Sequence, residues 1–189
     1  MSLPIPVMPA SRAALHKEGR ARPTLEPVEA IEIPRTHPVR IIADIYETLR
    51  QKCEPQHLPA FDDLKPKLAG ELGDYCLVLR PIEAEPYIDF LVVHRGAKIP
   101  GVELASVAAG ERYTEHVLTS LAEERLMELA SCLALKRSRL SLAHSARQSS
   151  LTVKVYRAVF PVWHAEVQQH AVVLAIAPVY TKVAEDVAN

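Results

Sequence analysis

The sequence predicts an α+β domain built on a five-stranded antiparallel sheet, with helices on one face and an N-terminal helix on the other. The last third of the chain predicts three consecutive strands, at residues 139–146, 151–163 and 170–180. The last strand is apolar at both its odd and its even positions, so both of its faces must be buried and it must lie inside the sheet. The helices that precede it can cover one face. An amphipathic segment at residues 39–52 is the candidate for covering the other.

The first 38 residues predict a flexible, Pro-rich leader. They contain seven of the 15 prolines and no sustained hydrophobic period. A short helix at residues 11–19 is compatible with this segment, and a partner-binding arm is the alternative to a plain disordered tail. Thr36 can cap the helix predicted at 39–52, and Pro38 suits its first turn. This helix carries an apolar stripe at helical spacing. The stripe consists of Ile41, Ile42, Ile45 and Leu49.

The middle of the chain predicts a short helix, two strands and a helical region in that order. Residues 62–72 open with acidic side chains and are followed by Gly73, a residue type that suits a helix C-terminus. Residues 75–81 and 87–95 have the apolar runs and alternation of strands. Residues 102–109 predict a further short helix because glycines bracket them.

A long helix begins near residue 120, where Ser120 and Glu123 form a capping-box pattern. It ends near the basic residues 136–139, which suit the negative end of the helix dipole. The three strands follow it, so the domain is predicted at residues 39–181, with a C-terminal tail at residues 182–189. The apolar face of this helix consists of Ala122, Leu126, Leu129 and Leu133.

Composition excludes several classes of partner and location. The 189 residues suffice for one domain with a tail, and the net charge of −1 gives no long-range attraction to nucleic acid or to an anionic membrane. The longest apolar run is about nine residues, whereas a bilayer-spanning helix needs roughly 20. The cysteines at 53, 76 and 132 form no CxxC pair and no secretion signal is present, so a cytoplasmic protein is expected.

Several short motifs accompany the order of elements. They are Leu58-Pro59, the acidic run at 62–66, the turn at Gly96, the step from Gly101 to Leu104, and Pro161 before a polar hairpin. With two strands, a helical middle and three strands in series, the chain resembles a bacterial PAS-like domain family of the alphaproteobacterial type over about residues 39–180. The tryptophan that the family commonly has in its first helix is absent here.

The resemblance implies a sensory or regulatory domain with no catalytic function. A small molecule in a cavity between sheet and helices, or a partner on the sheet, would shift a signalling equilibrium. The alternatives are a ligand-free interaction or scaffold module, in which side chains fill the cavity, and an enzyme on the same fold, for which His116 and Arg112 are the residues to test. The candidates for lining the cavity are Phe90, Tyr113, His116 and Tyr156.

No cofactor and no metal ion are expected. The eight histidines include no HxH, HxxxH or HExxH pair. His116 is the best candidate for a haem ligand, although an exposed or hydrogen-bonded histidine is the favoured interpretation. Cys132 lacks the motif of a flavin photoreceptor and is predicted as a small core residue. P-loop, GxGxxG and GxSxG patterns are missing, which argues against nucleotide and acyl-transfer chemistry.

A homodimer is expected because one helix shields only about 400–600 Å² of apolar sheet, and larger exposed patches mark interfaces. The stripe of Ile41, Ile42, Ile45 and Leu49 is therefore the candidate interface as well as the candidate cover. A signalling protein and an unidentified small molecule are the other partners considered.

Overall fold

The computed structural model describes residues 25–83, 88–100, 107–117, 119–146 and 152–179. Within these ranges the chain forms three α-helices and one six-stranded sheet, joined by turns and single 3₁₀ turns. The elements in chain order are β1 Leu25–Pro27, α1 Pro38–Arg50, α2 Phe61–Leu64, β2 Cys76–Glu83, β3 Ile88–Arg95, α3 Thr119–Leu135, β4 Arg139–Ala146, β5 Thr152–His164 and β6 Gln169–Pro178. None of the described helices is long and apolar enough to cross a membrane.

The sheet is antiparallel throughout, with strand order β1-β4-β5-β6-β2-β3. The strand β6 lies between β5 and β2, as its two-sided apolar pattern predicts. Its even-numbered residues enter the core on the α3 side and its odd-numbered residues enter a second core on the α1 side. All residues from 171 to 177 are buried, so one strand contributes to both cores.

The prediction of five strands was wrong by one. All five predicted strands are present, and the sixth is β1, which pairs with the β4 edge through Leu25 opposite Ala143. β1 comes from the segment predicted as a leader, and Ile33 and His37 from that segment are also buried. Its three residues are too few to show an alternating pattern, and Pro27 is tolerated because β1 is an edge strand. Residues 25–37 therefore belong to the folded domain, while the predicted helix at 11–19 and the tail at 182–189 lie outside the described residues.

The helix α1 covers the sheet of its own chain, which confirms its predicted packing. Its residues Ile42 and Leu49 are buried in the core, whereas Ile41 and Ile45 are half-buried. The Tyr46 hydroxyl donates to the Pro161 carbonyl at 2.8 Å. The apolar stripe thus serves the chain's own core, and Ile42 and Leu49 are not available to a second copy.

The cap of α1 differs from the predicted one. His37, not Thr36, is the N-cap residue, and its Nδ1 accepts the Val39 N–H at 3.3 Å. Its Nε2 donates to the Pro178 carbonyl at 3.0 Å, which fixes the neutral ring in the Nε2–H form. His37 therefore joins the start of α1 to the end of β6.

The segments between the strands are less helical than predicted. The segment predicted as one helix at 62–72 is α2 followed by a 3₁₀ turn at Lys65–Leu68, because Pro66 has no N–H to continue the ladder. Most of the helix predicted at 102–109 lies outside the described residues, and residues 107–109 are not helical. After β3 the chain folds back along that strand, with the Val92 N–H donating to the Glu111 carbonyl at 2.9 Å.

Candidate functional site

The candidate site is a group of charged and polar side chains buried between α3 and the sheet. Arg125 and Glu128 lie on α3, Ser141 lies on β4 and Arg157 lies on β5. Both arginines are fully buried, and Glu128 and Ser141 are at most 5% exposed. These four residues are called the buried charge cluster below.

Glu128 is the centre of this cluster. Its Oε2 accepts from Arg157 Nη2 at 2.8 Å and from Arg157 Nε at 3.3 Å, so two nitrogens of one guanidinium donate to a single carboxylate oxygen. Its Oε1 accepts from the Ser141 hydroxyl at 2.8 Å. Both carboxylate oxygens are therefore engaged inside the core.

Arg125 extends the charged group toward the β1 edge of the sheet. Its Nη1 lies 3.7 Å from Oε2 of Glu124, which is partly exposed. The other oxygen of Glu124 accepts the Leu25 N–H at 3.0 Å. Glu124 thus connects the buried charge cluster to the first strand of the described chain.

The helical spacing along α3 and the pairing of β4 with β5 bring the residues of the buried charge cluster together. Arg125, Glu128 and Cys132 share one face of α3 because they are three and four residues apart. Ser141 and Arg157 are directly paired across β4 and β5, and Arg157 lies on the same face of β5 as Val155 and Val159 of the α3-side core. The register and the helix face together place the Glu128 carboxylate above this cross-strand pair.

Cys132 lies one turn beyond Glu128 and behaves as the predicted core residue. Burial, with the Glu128 carboxylate as the second cause, raises the pKa of the Cys132 thiol above its ordinary range. The thiol therefore stays protonated at neutral pH, and its Sγ lies 3.7 Å from the Val159 carbonyl oxygen.

The four predicted cavity residues do not lie together. Phe90 and Tyr113 are fully buried in the α3-side core. Tyr156 lies on the opposite face of the sheet, because β5 alternates and its neighbour Arg157 points toward α3. The rings of Tyr156 and His37 pack edge-to-face on the α1 side, with their centroids 5.0 Å apart. The prediction that Tyr156 shares a cavity with Phe90 and Tyr113 was therefore wrong.

His116 lies near the rim of the α3-side core and remains about one-fifth exposed. Its Nε2 is 2.9 Å from the Glu111 carboxylate, which also accepts the Ala108 N–H. In the same segment the Thr114 hydroxyl donates to the buried Asp89 carboxylate at 2.6 Å. The Thr114–Asp89 bond and the backbone bond from Val92 to Glu111 hold residues 107–117 against β3, and the Glu111 contacts brace the segment internally. No group of three or more His, Cys, Asp or Glu side chains in the described part of the chain is arranged to hold a metal ion.

Two other histidines, His37 and His170, have lowered pKa values, from which we expect the stability of the fold to depend on pH. Burial lowers the pKa of His37, and burial together with nearby Lys136 lowers the pKa of His170, whose ring packs on Trp163. As the pH falls, the unfolded chain therefore binds protons at these two histidines at a higher pH than the folded chain does. The stability is complete above the ordinary pKa of about 6.5 and falls as the pH drops from there through the lowered values.

We expect the urea midpoint to fall between pH 7.5 and pH 5, and to fall less in a double variant with His37→Asn and His170→Gln. Asparagine can still cap α1, so the variant removes the titration and keeps the cap. An equal fall in the wild type and the variant would show that other groups cause it.

Sequence reasoning did not single out the buried charge cluster. The available signal was an arginine at an inward position of an otherwise apolar strand, Val155 to Val159, and a glutamate on the apolar face of the long helix beside Leu129. Charged residues at inward positions are rarely fully buried unless they are paired. Identifying the pair needed the placement of α3 across β4 and β5, which the sequence did not supply.

Comparisons with protein-family models, with curated proteins and with solved structures found no match to this chain.

Proposed function

We propose that this chain is a sensory or regulatory domain of PAS-like type, in which a small molecule bound in the layer between α3 and the sheet shifts a signalling equilibrium. The order of elements supports the PAS-like assignment, because two strands, a helical middle and three strands follow one another from Cys76 to Pro178. The buried charge cluster is the observation that carries the assignment of the site.

Stability alone does not account for this cluster. Moving an ion pair out of water costs several kcal/mol for each ion, and well-packed apolar residues of similar volume are often as stable or more stable. Glu128 and Arg157 are nonetheless at most 5% exposed, in a layer otherwise filled with aliphatic and aromatic side chains. In ligand pockets, a small number of placed polar or charged groups in an otherwise apolar lining fixes the orientation of the ligand.

The chemistry of the cluster indicates an acidic ligand. Arg157 already holds one carboxylate with two donors, and Arg125 brings a second guanidinium into the same layer. Guanidinium groups recognise carboxylates and phosphates through paired hydrogen bonds. A small organic acid that exchanges contacts with Glu128 would couple its binding to the position of α3 on the sheet.

The test is a thermal-shift measurement with the full chain and a panel of small mono- and dicarboxylic acids. A binding acid should raise the melting temperature of the wild type by about 2–5 °C at saturating concentration. The double variant Glu128→Leu with Arg157→Met, which keeps side-chain volume and removes the ion pair, should show no shift. Failure of every acid to shift the wild type, with no small molecule found by native mass spectrometry, would contradict the proposal.

A ligand-free interaction module is the second candidate function. It is favoured by the two large apolar side chains that α3 exposes, Met127 and Leu135. In that case no acid would raise the melting temperature of the wild type, but the protein would still associate with a partner.

A further inference from the structure

The outer face of α3 exposes large apolar side chains. Four large hydrophobic side chains are exposed among the described residues: Ile31, Val93, Met127 and Leu135. Two of the four lie on this one helix, where Met127 is 52% and Leu135 57% exposed. Between them stand the small residues Ser131 and Ala134, so another helix can approach closely.

The two ends of this face carry opposite charges. Glu123 is exposed in the first turns of α3, and Glu124 next to it is partly exposed. Lys136 and Arg137 are exposed just beyond its last residue. The surface therefore runs from acidic, through apolar, to basic along the helix.

We propose that this face binds a second copy of the chain, with the two α3 helices antiparallel about a two-fold axis near Ala130 and Ser131. In that arrangement Glu123 of one copy faces Arg137 of the other, and Met127 packs against the small residues of the opposite helix. A two-fold contact must be self-complementary, because the same surface is used twice. An acidic-apolar-basic order meets this condition only when the helices are antiparallel.

This surface differs from the α1 stripe that was predicted as the interface from the sequence. Two residues of the α1 stripe, Ile42 and Leu49, are buried in the core of their own chain, and Ile42 is fully inaccessible. The 17 residues of α3 extend over about 25 Å at 1.5 Å per residue. A contact of that length is at the small end of specific interfaces, so the dimer should be weak and form at micromolar concentrations.

Acidic residues first and basic residues last also stabilise a single helix through its dipole. A charge-reversal cycle separates the two roles. Glu123→Lys alone and Arg137→Glu alone each place like charges together in the dimer, twice over because of the symmetry. The double variant restores opposite charges between the copies, although it reverses the charges with respect to the helix dipole.

The experiment is sedimentation equilibrium of the full chain, without added ligand, from about 1 to 300 µM protein. We expect a monomer–dimer equilibrium in the wild type. Each single charge reversal should raise the dissociation constant about tenfold, and the double variant should return it toward the wild-type value. Met127→Glu should abolish the dimer, whereas Ile31→Glu, which places the same charge on an exposed apolar residue outside α3, should leave it intact.

A wild type that stays monomeric over this range would overturn the proposal. A dimer that survives Met127→Glu would also overturn it, because another surface must then be responsible. Far-ultraviolet circular dichroism of each variant checks that α3 is still folded. The result is independent of the proposed ligand, because the double variant Glu128→Leu with Arg157→Met leaves the outer face of α3 unchanged and should still dimerise.

Discussion

Replacing Glu128 with leucine is expected to lower the free energy of unfolding by about 3–5 kcal/mol, the usual cost of breaking a buried ion pair on one side. The Arg157 guanidinium would lose the carboxylate that accepts from two of its nitrogens, and the buried Ser141 hydroxyl would lose its acceptor. Water cannot compensate easily, because Arg157 is fully buried. Urea denaturation, read by circular dichroism at pH 7.5, measures the loss.

The matched control is the double variant Glu128→Leu with Arg157→Met. Removing both charges removes both desolvation costs, so most of the lost stability should return, and adding Ser141→Ala should remove the remaining buried hydroxyl. The coupling between the two sites should be large and favourable, as expected for residues in direct contact. If the double variant loses as much unfolding free energy as Glu128→Leu and Arg157→Met lose together as single variants, the pair makes no net interaction.

The architecture was predictable from the sequence where one side-chain pattern had a single physical solution. Residues 171–177 are apolar on both faces, and only an interior strand covered twice can bury them. The same reasoning required a second cover, and Ile42 and Leu49 at helical spacing identified α1 as that cover. The structure places α1 on the opposite face from α3.

The parts that were missed depend on relations between distant segments. The strand β1 has three residues and exists because β4 offers an unpaired edge, which no local pattern reveals. The side of the sheet that Tyr156 occupies follows from the register of β5 against β6, where Tyr156 is opposite Ala177. A one-residue shift in register would move every side chain of the strand to the other face.

The buried charge cluster was missed for a similar reason. Glu128 and Arg157 are 29 residues apart in sequence, and each alone resembles a surface residue. Their pairing becomes visible only when α3 lies across β4 and β5. Sites of this kind are assembled by the fold, so sequence reasoning can identify the elements and still overlook the chemistry between them.

The remaining large effect concerns the α1 side of the sheet, where Ile42→Ala is expected to cost about 2–5 kcal/mol of unfolding free energy. Ile42 is fully buried among residues of β5 and β6, and the Tyr46 ring one turn later packs on Phe160 at 4.8 Å. The structure around Phe160 and Pro161 is fixed by the sheet and can collapse only in part, so a cavity remains. Urea denaturation of the full chain measures the cost.

The neighbouring residue provides the control for this prediction. Ile41 is half-buried at the edge of the same helix, so Ile41→Ala removes the same atoms with less loss of packing and should cost about 1 kcal/mol or less. Because α1 covers the sheet of its own chain, the difference between the two variants should be the same at every protein concentration. Equal costs at the two positions, or a difference that grows on dilution, would indicate that α1 packs in another way, for example across two copies of the chain.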